Sequence, residues 1–257
     1  MKIICLTENT AVNGCTAEHG LSLFIDTDDV KLLFDMGQTD LFAKNAQQLS
    51  VDLSKVDIAV LSHGHYDHGG GLNKFLELNA TASVYIPQNS FVPHYNAQNK
   101  YIGLDKELLG NKRFITICED TIIFDGITII NYKNVPKNHK FGCFGLKKEL
   151  DGAIVDDDFD HEQYLLIERD NKRVLISGCS HRGIINIVEA IKPDIVIGGF
   201  HTSKMELDDE LTVLGKSILQ CSCTFYTCHC TGEKQFEYLK KYVDRLYYLS
   251  CGQKIII

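Results

Sequence analysis

The stretch LSHGHYDHGGGL, residues 61 to 72, contains three histidines and an aspartate within six positions. An apolar run, IAVLS, precedes this cluster and three glycines follow it, so a tight loop at the end of a β-strand is predicted. Residues two apart in an extended segment point the same way, so His63 and His65 are predicted to bind one metal ion together. Asp67 and His68 follow on the turn and are predicted to face a second metal ion. Imidazole and carboxylate ligands suit zinc, and also manganese or iron.

Strands and helices alternate on both sides of this cluster. Before it, KIICLT predicts a strand, LSLFIDTDDVKLLFDMG a hairpin, residues 38–50 a helix capped by Thr39 or Asp40, and DIAVLS another strand. The second half repeats this order. QYLLIERDNKRVLISG predicts a hairpin, GIINIVEAI a helix, DIVIGGFH a strand ending in a histidine, TFYTCHC a strand and EKQFEYLKKY a helix. The pattern predicts two stacked βα units that share one site within a single domain, residues 1–257.

The composition narrows the classes of partner. A formal net charge of −8 argues against a nucleic-acid backbone as the main partner, but a bound metal can reverse the local field for a small anionic substrate. The opening MKIICLTENT lacks the apolar core of a signal peptide, and no apolar run is long enough to span a bilayer. We therefore expect a cytoplasmic protein without a membrane partner. The sequence leaves the oligomeric state open.

Two regions have no regular pattern that fixes their role. Residues 88–113 are polar and tyrosine-bearing without a clear period, which indicates a loop insertion or a lid. Of the ten cysteines, most of the six scattered ones are expected to be small buried apolar side chains, namely Cys5, Cys15, Cys118, Cys143, Cys179 and Cys251. Cys221, Cys223, Cys228 and Cys230 have two interpretations, a four-thiolate zinc site or alternating burial along two elements.

The motif H-x-H-x-D-H after an apolar strand resembles the signature of the metallo-β-lactamase superfamily. EHGLS, LLFDMGQ, SGCSHRG, GGFH and CHCTG are similar to a subfamily often labelled dihydropterin-ribofuranosylaminobenzene-5′-phosphate synthase or metal-dependent hydrolase. This resemblance implies an α/β (α+β) chain in the four-layer αβ/βα sandwich of the metallo-β-lactamase fold. It also implies a site for two divalent metal ions, zinc or alternatively manganese or iron.

The resemblance extends to the second half of the chain, with two departures. His229 matches the final histidine ligand of the superfamily. The position of the bridging aspartate is occupied by Cys179, and His181, two residues later, is the substitute that we expect to bind metal. The histidine that the family places before the second hairpin is absent in its usual form, and that region, DDDFDHEQ, offers Asp157, Asp158 and His161 instead. His201 is interpreted as a ligand, a proton-transfer group or a site-lining residue.

The predicted metal ligands are therefore His63, His65, Asp67, His68, His181 and His229. Cys179 and His161 remain alternative ligands. His19 in EHGLS is a candidate for lining the pocket. His94 and His139 lie in polar loops, where solvated side chains are expected.

The function predicted from these residues is a metal-dependent hydrolase. A metal-bound hydroxide would attack a small phosphorylated substrate at phosphorus or at an acyl carbon, Asp67 would orient it, and His201 or His181 would deliver a proton to the leaving group. The subfamily resemblance implies an anionic, phosphorylated substrate. Cationic clamps could come from Lys133, Lys137, Lys140 and Arg182.

Three alternative functions stay open. One is a synthase that joins an arylamine to a phosphoribosyl donor, as the subfamily label implies. Another is a non-enzymatic module that binds a phosphorylated metabolite at a degenerate metal site. The third is redox or sulfur chemistry at a single iron.

Overall fold

The computed structural model describes residues 1–257 and divides the chain into two compact units. Unit 1 consists of Met1–Cys118, Gly145–Glu162 and Ser250–Ile257. Unit 2 consists of Glu119–Phe144 and Gln163–Leu249. The predicted single domain stays a prediction. The two units are described separately below.

Unit 1 is built on a seven-stranded sheet. Numbered along the chain, its strands are β1 (Lys2–Thr7), β2 (Ser22–Asp26), β3 (Lys31–Phe34), β4 (Ile58–Val60), β5 (Ser83–Pro87), β7 (Phe114–Ile117) and β17 (Lys254–Ile256). Their spatial order is β17-β1-β2-β3-β4-β5-β7. The first three pairings in this order are antiparallel and the last three are parallel.

One apolar core holds the sheet of unit 1 to its helices. The helices are α1 (Leu41–Gln48), α2 (Tyr66–Gly69) and α3 (Leu72–Leu78), with short 3₁₀ turns at Leu53–Lys55 and Lys106–Leu108. The core brings Leu6 and Leu33 of the sheet together with Phe42 of α1 and Phe75 of α3. Burying each such side chain stabilises the fold by about 1.5–3 kcal/mol. The helix predicted at 38–50 is present over the shorter range Leu41–Gln48. The Thr39 hydroxyl accepts the Leu41 N–H at 3.1 Å, whereas the side chain of Asp40 makes no capping hydrogen bond.

A second, three-stranded sheet of unit 1 was not predicted. It consists of β6 (His94–Tyr95), β10 (Lys147–Leu150) and β11 (Ala153–Asp156) in the order β11-β10-β6. The hairpin between β10 and β11 turns at Asp151 and Gly152, whose φ values are 51° and 79°. Two positive φ values are typical of the Asp-Gly turn of a tight hairpin, so the signal was present in the sequence.

The segment 88–113 is mostly irregular, as predicted. It holds β6 and one 3₁₀ turn, and it contributes to the lining of a cavity of about 550 Å³. It is also tied to the ligand-bearing turn, because the Tyr66 N–H donates to the Ile102 carbonyl at 2.9 Å. A lid function stays a prediction.

Unit 2 repeats the strand arrangement of unit 1. Its strands are β8 (Thr121–Phe124), β9 (Ile127–Asn131), β12 (Gln163–Arg169), β13 (Lys172–Ser177), β14 (Ile195–Gly198), β15 (Thr224–Thr227) and β16 (Leu246–Tyr248). The spatial order is β16-β15-β14-β13-β12-β9-β8. Starting from β8, three antiparallel pairings are again followed by three parallel ones. The prediction that the second half repeats the first is confirmed.

The helices of unit 2 are α4 (Ile184–Ile191), α5 (Asp209–Gln220) and α6 (Glu233–Lys240), with 3₁₀ turns at Tyr132–Asn134 and His229–Thr231. Its core joins sheet residues such as Leu175 and Phe225 to Ile187 of α4, Leu211 of α5 and Leu239 of α6.

Two strand boundaries differ from the prediction. His201 and His229 were expected on or at the end of strands, but β14 ends at Gly198 and β15 ends at Thr227. The φ values of His201 and His229 are 54° and 50°, which an extended strand does not accommodate. Both histidines therefore lie in the loops that follow the carboxyl ends of the parallel strands. Such loops are where α/β sheets place their ligands.

Candidate metal centre

The turn after β4 brings the four clustered ligand-type residues of unit 1 together. The rings of His63 and His68 are 4.1 Å apart between centroids, and those of His63 and His65 are 4.6 Å apart. His68 Nε2 lies 3.9 Å from Asp67 Oδ2. All four side chains are buried. Asp67 and His68 lie on the short helix α2 rather than on an irregular turn.

A buried carboxylate at the end of β3 determines which nitrogens these histidines present. Asp35 Oδ1 accepts the Ser62 N–H at 2.6 Å, and its Oδ2 accepts the Ser62 hydroxyl at 2.7 Å and His68 Nδ1–H at 2.6 Å. The Ser62 hydroxyl has only one proton, so its oxygen accepts from His63 Nδ1–H at 2.8 Å. His63 and His68 therefore both carry their proton on Nδ1 and present the lone pair of Nε2, the state that a metal ligand needs.

The electrostatics at His68 favour a positive charge. Burial alone would lower the pKa of His68, but the attraction of Asp35, Asp67 and Glu162 outweighs it and raises the pKa above its ordinary value. Burial in turn raises the pKa of Asp35, against the opposing effect of His68. The same carboxylates that favour a proton at Nε2 would favour a divalent cation there. The donor types and their charge thus fit a metal ion.

Asp67 has an additional contact with a partly exposed histidine. His19 Nε2 lies 3.2 Å from Asp67 Oδ2, and the Asn9 amide nitrogen lies 3.3 Å from His19 Nδ1. An amide nitrogen can only donate, so His19 Nδ1 accepts and the proton of neutral His19 is on Nε2, which faces Asp67. The structure thus places His19 beside a predicted ligand, and its role in lining the pocket stays a prediction.

In unit 2 the thiol of Cys179 is the centre of a second ligand-type group. The Cys179 sulfur lies within 4.8 Å of one ring nitrogen from each of His181, His201 and His229. The rings of His181 and His201 are 4.2 Å apart between centroids. The Cys230 sulfur also belongs to this group and accepts the His201 N–H at 3.2 Å. Because all these atoms converge on Cys179, this thiol remains a candidate ligand together with His181 and His229.

Four residues at the strand ends share an uncommon backbone conformation. Asp35, Ser180, His201 and His229 follow β3, β13, β14 and β15, and their φ values are 57°, 57°, 54° and 50°. Positive φ is uncommon for residues other than glycine, and such strain clusters at functional sites. In both units the conformation occurs just after the parallel strands, next to the ligand-type side chains.

Three further histidines from the sequence prediction, His94, His139 and His161, differ in their burial. His94 was expected to be a solvated loop histidine, but it is fully buried on β6, so that expectation is wrong. His139 is exposed, as expected, and its Nε2 lies 2.9 Å from a carboxylate oxygen of Glu189. His161 is also fully buried, and both of its ring nitrogens are engaged within unit 1, one by the Gly64 N–H and the other by Asp157.

The cationic residues around the loop 133–140 are only partly available as clamps. Arg182 Nε donates to the Val135 carbonyl at 2.9 Å, and its guanidinium lies over the ring of Tyr132 at 5.4 Å. Arg182 therefore helps to hold this loop. Lys133, Lys137 and Lys140 are exposed.

Comparisons with known proteins identify the family of the chain. A family model described as the metallo-beta-lactamase superfamily matches residues 15–217. The chain belongs to the metallo-β-lactamase superfamily. The protein is 32% identical over 250 residues to an uncharacterized protein of Methanocaldococcus jannaschii, covering 94% of this chain and 95% of that protein.

Two further relatives have informative names. The 7,8-dihydropterin-6-methyl-4-(β-D-ribofuranosyl)-aminobenzene-5′-phosphate synthase of Methanocaldococcus jannaschii is 29% identical over 275 residues, covering 91% of this chain and 88% of that enzyme. The crystal structure of Tm1679, described as a metal-dependent hydrolase of the β-lactamase superfamily, superposes with a TM-score of 0.87 at 31% identity. It covers 100% of this chain and 99% of Tm1679.

These findings confirm the predicted fold class, the mixed α/β metallo-β-lactamase fold. Members of this superfamily are typically metal-dependent hydrolases that bind divalent metals, and the histidine-rich groups of this chain are suited to such ions. None of the helices has the length and apolar character that crossing a membrane requires.

Asp35 was not predicted as a site residue, whereas Asp157 was among the side chains offered by the region in which the usual family histidine is absent. A signal for Asp35 was present, because LLFDMG places an aspartate directly after an apolar strand. β3 and β4 are parallel neighbours, so Asp35 and the histidine turn emerge at the same edge of the sheet. For Asp157 the signal was weaker, since nothing in the sequence distinguishes it from its neighbours Asp156 and Asp158 in DDDFDH.

Proposed function

We propose that the protein is a metal-dependent hydrolase that acts on a small anionic substrate, a phosphoester or an acyl ester. The observation that carries this proposal is the buried pair Asp35–Ser62, which leaves Nε2 of both His63 and His68 as lone-pair donors beside Asp67. Neutral imidazoles and a carboxylate are the ligand types of hydrolytic zinc sites.

The proposed ligands of two divalent ions, zinc or alternatively manganese or iron, are the six residues predicted from the sequence, His63, His65, Asp67, His68, His181 and His229. Such an ion, when bound, lowers the pKa of coordinated water to about 7 and stabilises negative charge on the substrate.

The protein's own residues have three proposed roles in the reaction. Asp35 and Ser62 hold the protons of His63 and His68 on Nδ1, so that both Nε2 atoms keep their lone pairs. Asp67 orients the attacking water, and its contact with His19 holds the carboxylate in place. His201 is the proposed proton donor to the leaving group, because its ring lies beside His181 in the loop after β14.

Two observations support a phosphorylated substrate. Exposed lysines line the loop 133–140 in a chain whose net charge is −8, so positive charge is locally concentrated there. The name of one relative also contains a 5′-phosphate. That same relative supports a second candidate function, a synthase that joins an arylamine to a phosphoribosyl donor.

The proposal is tested by metal analysis and ester hydrolysis on protein purified without a histidine tag. Plasma emission gives the metal content, and bis-p-nitrophenyl phosphate, p-nitrophenyl phosphate and p-nitrophenyl acetate are the substrates. We expect close to two metal ions per chain and hydrolysis of at least one ester.

Asp67→Ala is expected to lose this activity, and Asp40→Ala, which changes an exposed carboxylate paired with Lys44, is the matched control. Folded protein without metal would overturn the proposal. Metal without turnover of any ester would favour the synthase.

A further inference from the structure

A second buried group of ligand-type residues lies within unit 1, next to the histidine turn. His65, His94, Asp157 and His161 each place one ligand-type atom within 4.8 Å of the others, and all four are buried. They come from the turn after β4, from β6 and from the segment after β11. This group has the composition of a metal site, so its role depends on where the protons lie.

The proton on His161 argues against a metal ion in this group. The Gly64 N–H donates to His161 Nδ1 at 3.0 Å, so this nitrogen carries a lone pair. Neutral His161 therefore has its proton on Nε2, which lies 3.1 Å from Asp157 Oδ2. A metal ion at Nε2 would have to remove that proton and leave an anionic ring. The contact between His161 and Asp157 is thus an ordinary N–H···O hydrogen bond.

The ring geometry supports the same conclusion. The rings of His94 and His161 are in close contact, with centroids 3.9 Å apart and planes tilted by 33°. Two imidazoles on one tetrahedral zinc ion, with bonds of roughly 2.0–2.1 Å, have centroids about 5 Å apart. His94 Nδ1 lies 3.2 Å from Asp157 Oδ2, so the two rings share a carboxylate rather than a metal ion.

Asp157 is the acceptor at the centre of this group. Its Oδ1 accepts the Phe159 N–H at 2.8 Å, and its Oδ2 faces the nitrogens of His161 and His94. His65 Nε2 lies 3.8 Å from the same Oδ2. That distance is longer than a hydrogen bond, but attraction between a carboxylate and an N–H is strong in a buried, low-dielectric site. An ionised Asp157 therefore favours the form of His65 that carries its proton on Nε2.

We propose that Asp157 and His161 form a clamp that positions the turn His63-Gly64-His65 for metal binding. His161 holds the backbone through the Gly64 N–H, and Asp157 holds the proton of His65 on Nε2. The lone pair of His65 is then on Nδ1, on the opposite edge of the ring. Asp157 and His161 are positioning residues and do not touch the metal. This inference rests on the proposed function, because it assigns His65 as a metal ligand.

Gly64 makes the clamp possible. A Cβ at this position would clash with the Ser90 carbonyl oxygen, so only glycine lets the turn approach the segment 88–113 closely. The Gly64 N–H then points at His161. The backbone between the two histidines is therefore fixed from both sides.

The first test measures the tautomer of His65 in metal-free protein by long-range ¹H–¹⁵N correlation of the imidazoles. We expect His65 and His161 to carry their protons on Nε2. In Asp157→Asn, His65 is expected to show a mixture of both tautomers. A proton on Nδ1 of His65 in the unmodified protein would overturn the inference, whether or not the protein binds metal.

The second test measures zinc affinity by competition with a chromogenic chelator. Asp157→Asn is expected to weaken zinc binding by about 10–100-fold, the usual effect of removing a partner of a ligand histidine, without changing the number of ions bound. The matched control is Asp158→Asn, which alters the adjacent carboxylate, exposed and paired with Lys148. We expect the zinc affinity of this control to stay within about twofold of that of the unmodified protein.

His161→Gln keeps the inference testable if Asp157→Asn does not fold. We expect it to bind the same number of zinc ions with lower affinity. Loss of one whole metal equivalent in either variant would overturn the clamp and assign these residues to a metal site of their own. Unchanged affinity in both variants would overturn the clamp and leave the proposed function intact. Unmodified protein that binds no zinc would instead overturn the proposed function.

Discussion

Replacing Asp35 by asparagine is expected to weaken both the fold and metal binding. Three donors converge on this carboxylate, the N–H and the hydroxyl of Ser62 and the Nδ1–H of His68. Asparagine offers one acceptor oxygen, and its NH₂ group must face at least one of these donors. If it faces His68, the ring responds by moving its proton to Nε2, which blocks that nitrogen as a ligand.

The magnitude follows from the burial of the group. A buried donor left without an acceptor costs about 1–3 kcal/mol, so metal-free Asp35→Asn is expected to lose that much free energy of unfolding. Removing the carboxylate partner of a ligand histidine weakens metal binding by about 10–100-fold, which is about 1.4–2.7 kcal/mol. The effect on His63 is indirect, because it passes through the Ser62 hydroxyl.

Urea unfolding of metal-free protein and zinc competition with a chromogenic chelator measure the two effects separately. Asp40→Asn is the control, since this carboxylate is exposed and pairs only with Lys44 among the charged side chains. We expect the control to match the unmodified protein in both assays. If Asp35→Asn binds zinc as tightly as the unmodified protein, the assignment of protons at His63 and His68 is wrong.

Three further predictions concern the surroundings of the site. Gly64→Ala is expected to destabilise the protein by about 1–3 kcal/mol in urea unfolding, because its Cβ clashes with the Ser90 carbonyl; an unchanged midpoint would contradict this. Burial and the neighbouring His94 lower the pKa of His161 to about 3 from 6.5, so the unfolded state alone takes up a proton as the pH falls below 6.5. The free energy of unfolding therefore falls with the pH, by about 2 kcal/mol between pH 7 and pH 5. Metal-free His161→Gln lacks this group, so its loss over the same range should be smaller by about 2 kcal/mol. Equal losses in the two proteins would refute the lowered pKa of His161. Free zinc at 100 times its dissociation constant is expected to raise the free energy of unfolding by about 2.7 kcal/mol, and a midpoint that does not respond to zinc would show that the folded state does not bind it.

The sequence predicted the scaffold well because its signals are local. Apolar runs bounded by turn residues identified eight strands of the two large sheets, β1 to β4 and β12 to β15. The predicted hairpin of β12 and β13 turns at Asp170 and Asn171, whose φ values are 49° and 57°. The strand β17 was missed because it is three residues long and its partner, β1, lies some 250 positions earlier. No local sequence pattern in KII predicts its pairing with β1.

The surroundings of the ligands were harder to predict because they are made by distant contacts. His94 was expected to be solvated, since the residues beside it are polar. Its burial depends on β10, more than fifty positions later, with which β6 pairs. The role of Asp157 depends on contacts with histidines 63 and 92 positions away in the chain, His94 and His65. Only the tertiary structure brings these groups together.

The assembly of unit 1 from three separate stretches of chain sets an order of events during translation. The histidine turn leaves the ribosome long before Gly145–Glu162, the stretch that carries Asp157 and His161. At about 5–20 residues per second, the delay from His68 to Asp157 is roughly 5–20 s. A nascent chain therefore exposes its histidines before the clamp that orders them exists, and β17 is added only later, near position 256. Metal ions can therefore bind tightly only after most of the polypeptide has been made.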